Sequence, residues 1–448
     1  MRLDTTYRAR RTRLFDLLPS GCSVVLHNGF APCRNVPSSS YAFRGASSVQ
    51  YLCGRLPQGA VVLLDRDDAT LFLIPQSASD RVWDGPGEGW DRMAELHAFD
   101  RVLARDRCAE LCAKRSGTLL SLPVLSGRGQ GELRDILERD VALAGADLSL
   151  AEALIALRLC QDEFAQQQLR AAIPPTAAAY RRAREQLRPG LNERHVLAEL
   201  VAEAIRWGME LSFPPIVSKR AEILHNTESK DILEEGDLLL IDFGVETPEG
   251  YASDVTRTWP VGERFSDRQR DVYQIVLEAQ QAAIAAVKPG TEYWEVHLVA
   301  SRALARGLID LGMLSGEVDS LVERGAHALF FPHGIGHLVG LDVHDLEEFG
   351  DLAGYAPGRA RDPRFGFNFL RLNRPLQSGM VVSIEPGLYF VPALLDCPER
   401  RALYADCVRF DRVEPFRQVR GIRIEDEVLV ADSGHEVLTA CIPKQIEG

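Results

Sequence analysis

The chain has 448 residues, 46% of them hydrophobic and 26% charged, with a formal net charge of -13. This is the composition of an ordinary soluble globular protein, too long for one core, so two domains are expected. The acidic balance argues against a nucleic-acid partner or an anionic membrane surface, since either needs a basic face.

The opening stretch, MRLDTTYRARRTRLFDLL, has basic residues but no apolar signal region, so it reads as a native amphipathic helix. No apolar run approaches the roughly 20 residues of a membrane span. Nine cysteines are scattered without a CxxC pair, which fits buried thiols in a reducing cytoplasm better than a zinc or disulfide scaffold. Between residue 22 and about residue 158, short apolar runs (CSVVLHN, GAVVLLD, ATLFLIP, GTLLSLP) alternate with helix-like stretches. That alternation predicts an N-terminal α/β domain over residues 1–158. A helical region over 159–175, interrupted near Pro174 and Pro175, is expected to link it to the main domain, residues 176–448.

The main domain repeats itself. A helix stops at Pro189-Gly190 and another at Pro289-Gly290, each followed by a second helix. LEEGDLLLIDFGVE from Leu233 matches LQSGMVVSIEPGLY from Leu376, so Asp242 and Glu385 fall at equivalent ends of two buried strands. Two half-domains related by a pseudo-two-fold axis follow, with carboxylates facing one another.

Asp242 and Asp254 flank a polar turn containing Thr247 to Gly250, and a β-hairpin would set them across from one another on paired strands. Opposed like charges are destabilising unless a cation lies between them. Further along, HGIGHLVGLDVHD places His333, His337 and His344 in one glycine-rich stretch, where the backbone can bend closely enough for an imidazole to reach a metal. The second half adds Glu385 and, in RGIRIEDEVLV, Glu425. Four oxygen donors and an imidazole suit a pair of divalent ions such as Mn²⁺, Zn²⁺ or Co²⁺ better than a structural zinc. Asp426 and Glu427 read as exposed or hydrogen-bonding neighbours, and His297 and His327 as core imidazoles.

The combination IDFG…SDVTRT, PHGIGHLVGLDVHD, SIEPGLYF and GIRIEDEVLV resembles the pita-bread metallopeptidases, and within them the Xaa-Pro peptidases, from about Ala165 to Ile446. SYAFRGASSVQYLCG is similar to the start of the small N-terminal domain these enzymes carry. The resemblance implies an α/β N-terminal domain plus an α+β, creatinase/aminopeptidase-like pita-bread catalytic domain. It implies Asp242, Asp254, His337, Glu385 and Glu425 as ligands of two divalent ions, Mn²⁺ foremost, with Asp254 and Glu425 bridging. His225 would contact substrate, His344 the reacting carbonyl and His333 the pocket wall, while Arg423 stands beside the bridging ligand.

Arg371 and Arg374, in LRLNR, resemble the L-R-x-x-R of prolidases, and the long segment before them and the tail VLTACIPKQIE are similar too. Arg371 is the candidate receptor for a substrate carboxylate, while Arg374 reads as a surface charge. Hydrolysis of Xaa-Pro dipeptides by a metal-activated hydroxide in a cytoplasmic homodimer is the activity implied, with Glu385 as proton shuttle. The alternatives are aminopeptidase P, a side activity on organophosphate esters, and a metal-free binding module, the last disfavoured because all five ligand positions are filled. Two departures stand out. The first hairpin has an extra residue between its aspartates, and the tyrosine that prolidases often show near Leu211 and Phe213 is missing, as is a Gly-Ser-Gly-like turn at Ser218, Lys219 and Arg220.

Overall fold

A computed structural model describes residues 3–36, 38–262 and 264–445. The chain divides into two compact units, Met1–Arg158 and Leu159–Gly448. The starting pair of the predicted N-terminal helix, Met1 and Arg2, and the end of the prolidase-like tail from Ile446 lie outside the described residues.

In the first unit, helix α1 (Leu3–Leu17) buries Thr6, Tyr7, Arg10, Arg11, Leu14 and Phe15, an i, i+1, i+4 face that carries two arginines inward. Arg10 stacks over Tyr51 at 4.2 Å and donates to its carbonyl. The four apolar runs become strands β1 (Ser23–His27), β2 (Val61–Leu64), β3 (Ala69–Leu73) and, after β4 (Arg101–Ala104) and helix α2 (Cys108–Ala113), β5 (Leu119–Leu120). The sheet runs β4-β3-β2-β1-β5, antiparallel in its centre and parallel at both edges. Val25, Val61, Leu63 and Phe72 pack with Cys108 and Cys112 of α2 and with Leu133 of α3 (Gly127–Leu137). The thiols are not uniformly buried as expected: Cys53, Cys108, Cys112 and Cys407 are, whereas Cys33 and Cys441 are exposed.

The second unit opens with α4 (Glu163–Gln186), capped by Asp162, whose side chain accepts from the Ala165 N–H. The expected break at Pro174 and Pro175 does not occur, so residues 159–175 are not a separate linker but part of this unit. Two prolines remove the N–H groups that would reach the carbonyls of Arg170 and Ala171. The helix survives because Leu169, Ala172, Ala179, Tyr180 and Ala183 bury one continuous face, and Thr176 Oγ1 bonds the Ala172 carbonyl at 2.8 Å.

After α5 (Glu193–Arg206) come β6 (Ile216–Ser218), β7 (Leu238–Phe243) and β8 (Val255–Pro260), antiparallel in the order β8-β7-β6. Then α6 (Asp267–Ala286) and α7 (Tyr293–Asp310) lead to β9 (Val381–Ile384), β10 (Gly387–Tyr389), β11 (Gly421–Arg423), β12 (Asp426–Val430) and β13 (His435–Val437). β9 pairs with β12 and β12 with β13, and β10 pairs with β11.

The sequence repeat is a repeat of backbone. Gly190 donates to the Leu233 carbonyl and Gly290 to the Leu376 carbonyl, both at 2.8 Å; Leu233 and Leu376 return bonds to Leu191 and Thr291, again at 2.8 Å. Gly236 and Gly379 take φ of 86° and 92°, the left-handed turn that lets each strand start and that a side chain would strain. The halves differ in where the third strand lies, β6 beside the Asp242 strand and β13 beside the strand that follows Glu425. An isolated bridge, Thr256 to Glu425, joins them.

Candidate active-site cleft

A cleft of about 720 Å³ opens in the second unit and is lined by Asp242, Asp254, His333, His337, His344, Glu385, Arg423 and Glu425, with His225 and Arg371 also on its wall. Every predicted site residue is therefore in one place. Phe213 lines the same cleft, so the wall near the missing tyrosine is apolar.

The hairpin register corrects one expectation. Asp242 faces Thr256, not Asp254. The turn closes between Thr247 and Tyr251 and is centred on Glu249, one position later than a direct Asp–Asp pairing requires, so Asp254 falls opposite Gly244. The two aspartates are diagonal neighbours on one face, still within reach of a common partner. At Gly244 an added Cβ would lie 1.7 Å from the Ser253 carbonyl oxygen, so the strands approach too closely for any other residue.

The tightest cluster is Asp254, His337 and Glu425, all buried, each offering a ligand atom within 4.8 Å of the others. His337 Nε2 is 3.4 Å from Asp254 Oδ2 and 3.7 Å from Glu385 Oε1. Its Nδ1 is 3.0 Å from the Leu338 carbonyl, which fixes the tautomer with Nδ1–H donating and the Nε2 lone pair aimed at the carboxylates. The backbone delivers His337 there through Gly336, where a Cβ would sit 2.2 Å from the Ser383 carbonyl oxygen.

Burial pushes the carboxyls of Asp254, Glu425 and Glu385 above the ordinary range. For Asp254 the Asp242 charge adds to this, and for Glu425 the charges of Asp254 and Glu385 do. Asp242 Oδ1 and Glu425 Oε1 are buried without a hydrogen-bond partner. Orphaned acceptors among crowded acids are costly unless a cation takes their lone pairs. The donor set, hard oxygens and one neutral imidazole, fits divalent ions.

The surrounding shell holds these groups in place. Thr256 Oγ1 donates to Glu425 Oε2 at 2.7 Å and accepts from Arg423 Nε at 3.1 Å. Arg423 Nη2 donates to Asp242 Oδ2 at 2.6 Å and Nη1 to the Tyr389 hydroxyl at 3.1 Å. Tyr389 in turn donates to His333 Nε2 at 2.9 Å, because His333 Nδ1–H is spent on the Gly334 carbonyl at 2.8 Å. Burial drops His333 to about 3, so it is a neutral acceptor. Glu427 Oε1 accepts the Asp254 N–H.

His344 packs edge-on against His337, ring centres 4.3 Å apart, and Arg371 Nη1 lies 3.2 Å from its Nδ1. Arg371 also donates to Glu347 Oε1 at 2.5 Å, a partner the sequence reading missed, as it missed Tyr389 and Thr256. The acid two residues past the end of the histidine stretch was the available signal for Glu347.

Asp426 and Glu427 take the hydrogen-bonding alternative of their expectation, and Arg374 departs from its own. Asp426 and Glu427 are fully buried rather than exposed. Asp426 can be buried because Arg257, Lys444, Gln280 and Thr439 all donate to it. Arg374 is buried too, its Nη2 donating to the Tyr355 carbonyl at 3.0 Å, which makes it a structural residue rather than a surface charge. His297 and His327 are buried among aromatic rings, as core imidazoles.

Comparison with known proteins agrees with this arrangement. Residues 167–432 match metallopeptidase family M24, and residues 7–118 match the aminopeptidase P N-terminal domain. The chain is 30% identical to a Xaa-Pro aminopeptidase of Escherichia coli (98% of this chain, 96% of that one) and 30% identical to a human Xaa-Pro dipeptidase (98% and 90%). A solved Escherichia coli aminopeptidase P variant in complex with substrate superposes with a TM-score of 0.83 at 30% identity, over 99% of this chain and 96% of that one.

Proposed function

The chain belongs to metallopeptidase family M24, and on that premise we propose that it hydrolyses Xaa-Pro dipeptides to release free proline, using two divalent ions, Mn²⁺ in preference to Zn²⁺ or Co²⁺. One observation carries the dipeptide reading: Arg371 lies in the same cleft as the carboxylates, its Nη1 3.2 Å from His344 Nδ1. A dipeptide presents its carboxylate one residue beyond the scissile carbonyl, so a receptor for it must stand beside the reacting centre.

Asp242, Asp254, His337, Glu385 and Glu425 would together hold the two ions. Bound there, the ions supply a water of lowered pKa and a Lewis acid for the carbonyl before proline. Arg423 orients Asp242 by the 2.6 Å bond to Oδ2, leaving Oδ1 for a metal. His344, edge-on against His337 with its Nδ1 beside Arg371 and Glu347, donates a hydrogen bond from its ring to the developing oxyanion. Glu385 carries a proton to the tertiary amide nitrogen, which has no hydrogen and must be protonated to leave. Arg371 and His225 receive the proline carboxylate, and His333, neutral and fixed by Tyr389, forms the pocket wall.

A second reading, aminopeptidase P acting on longer peptides, is favoured by Glu347, which already pairs with Arg371. The test is turnover of Ala-Pro against Ala-Pro-Ala by parent and Arg371→Ala. The dipeptidase reading expects efficient cleavage of Ala-Pro and a loss in the variant that falls mainly on Ala-Pro; an equal loss on both peptides favours aminopeptidase P.

A further inference from the structure

Arg371 does not stand free. Its Nη1 donates to Glu347 Oε1 at 2.5 Å, and Glu347 Oε2 is 3.4 Å from His344 Nδ1. The side chains of Arg371 and Glu347 are 37% and 41% exposed, so both face the open cleft. The backbone aims the carboxylate there. Leu346 adopts φ of 66° with its side chain buried, a left-handed conformation costly for a non-glycine residue, and Glu347 then begins a tight turn closed by the Gly350 N–H at 3.0 Å. Burial pushes the Glu347 carboxyl up, but bonds from His344 and Arg371 bring it down to about 2, so it is ionised throughout the working range.

Two further guanidinium groups line the cleft: Arg423, committed to Asp242, Thr256 and Tyr389, and Arg361. Arg361 pairs with Asp351 but also donates to the carbonyls of Asn368 and Leu370 at 3.0 and 3.1 Å, which commits it to holding its loop. Among the described residues the partners of Arg371 are Glu347 and His344, both cleft side chains.

We propose that Glu347 is a specificity-determining residue: a resident carboxylate that occupies and neutralises Arg371 and so weakens capture of peptides presenting a C-terminal carboxylate there. The inference rests on the reading of Arg371 as carboxylate receptor. An incoming carboxylate must displace Glu347 from Nη1 or share a guanidinium with it, and two like charges on one cation repel. A peptide with a carboxamide at that place brings no second negative charge. Removing the resident charge therefore sharpens the preference for a free carboxylate.

The experiment compares Ala-Pro with Ala-prolinamide, alike in shape and different in charge, as kcat/KM ratios for the full-length, metal-loaded parent, Glu347→Gln and Arg371→Ala. Glu347→Gln is expected to raise the Ala-Pro to Ala-prolinamide ratio about fivefold, chiefly through KM, the size expected of one half-exposed charge-assisted pair. Inhibition by free proline should tighten by a similar factor. An unchanged or lower ratio in a Glu347→Gln protein with parental melting behaviour overturns the proposal. If Arg371→Ala still lowers the ratio in that case, the receptor reading stands alone. Failure of the parent to cleave Ala-Pro, or an unchanged ratio in Arg371→Ala, overturns both.

Discussion

Arg257→Met probes what holds the two half-domains together behind the cleft. The Arg257 side chain is fully buried and makes five hydrogen bonds: Nε to Pro443 O at 3.2 Å, Nη1 to Thr256 O at 3.0 Å and Glu425 O at 2.6 Å, Nη2 to Asp426 Oδ1 at 2.8 Å and Ile442 O at 2.7 Å. Methionine fills much of the volume and leaves those acceptors bare. Breaking a buried ion pair from one side costs about 3–5 kcal/mol, and each orphaned carbonyl adds about 1–3 kcal/mol before relaxation. Lys444 still compensates Asp426, so we take about 4 kcal/mol, near a third of the stability of an ordinary domain. At about 1.4 kcal/mol per decade, amide exchange through opening of β8 and β12 should accelerate about a thousandfold. Hydrogen–deuterium exchange on peptides covering residues 254–260 and 423–430 reads this directly. Arg257→Lys, which keeps the charge but not the fork, should fall between. Protection within about fivefold of the parent in both peptides would refute the argument that this guanidinium closes the seam.

Thr256→Val, nearly isosteric, removes the hydroxyl between Glu425 and Arg423; affinity for Mn²⁺, read by calorimetric titration, should fall about 10- to 100-fold. Asp254→Ala or Glu425→Ala should abolish both metal binding and turnover, and full activity in either would sink the site assignment. Burial holds His297 at about 3 and His327 at about 4, below the unfolded value of about 6.5. Each binds its proton first in the unfolded chain, so its contribution is present above pH 6.5 and drains as pH falls toward 4, by about 2 kcal/mol per histidine at pH 5. In chelator, Tm should drop between pH 7 and pH 5, and His297→Phe should flatten that drop; an equally steep fall in the variant would count against it.

The parts of this fold legible in the sequence are those set by local constraints. Gly236 and Gly379 announce matched turns because each strand start needs a left-handed residue, and Asp242 and Glu385 stand out because the repeat puts an acid at the same place in both halves. Four of the five strands in the main sheet of the first unit were readable as apolar runs bounded by breakers, whereas β4, half-exposed and led by Arg101, was not. What escaped depends on partners far away in the chain. Asp426 could be exposed or hydrogen-bonding until Arg257, 169 residues off, and Lys444 arrive to hold it buried. The salt bridge of Arg371 with Glu347 hinges on one left-handed leucine, and the hairpin register on whether the turn centres on Pro248 or Glu249, a one-residue difference that composition does not encode. The prolines of α4 were misread because their helix is sustained by the face it buries rather than by its own backbone.

The bridge between Thr256 and Glu425 makes each half of the second unit depend on the other. Asp242 and Asp254 come from one half of the repeat, and His337, Glu385 and Glu425 from the other, so neither half carries the whole set. Thr256 and Thr258 bond to Arg423 and Glu425, so a change on one side leaves unpaired groups on the other. The loop carrying Glu347 makes none of these cross-half bonds, so what the cleft accepts can be altered there without loosening the seam.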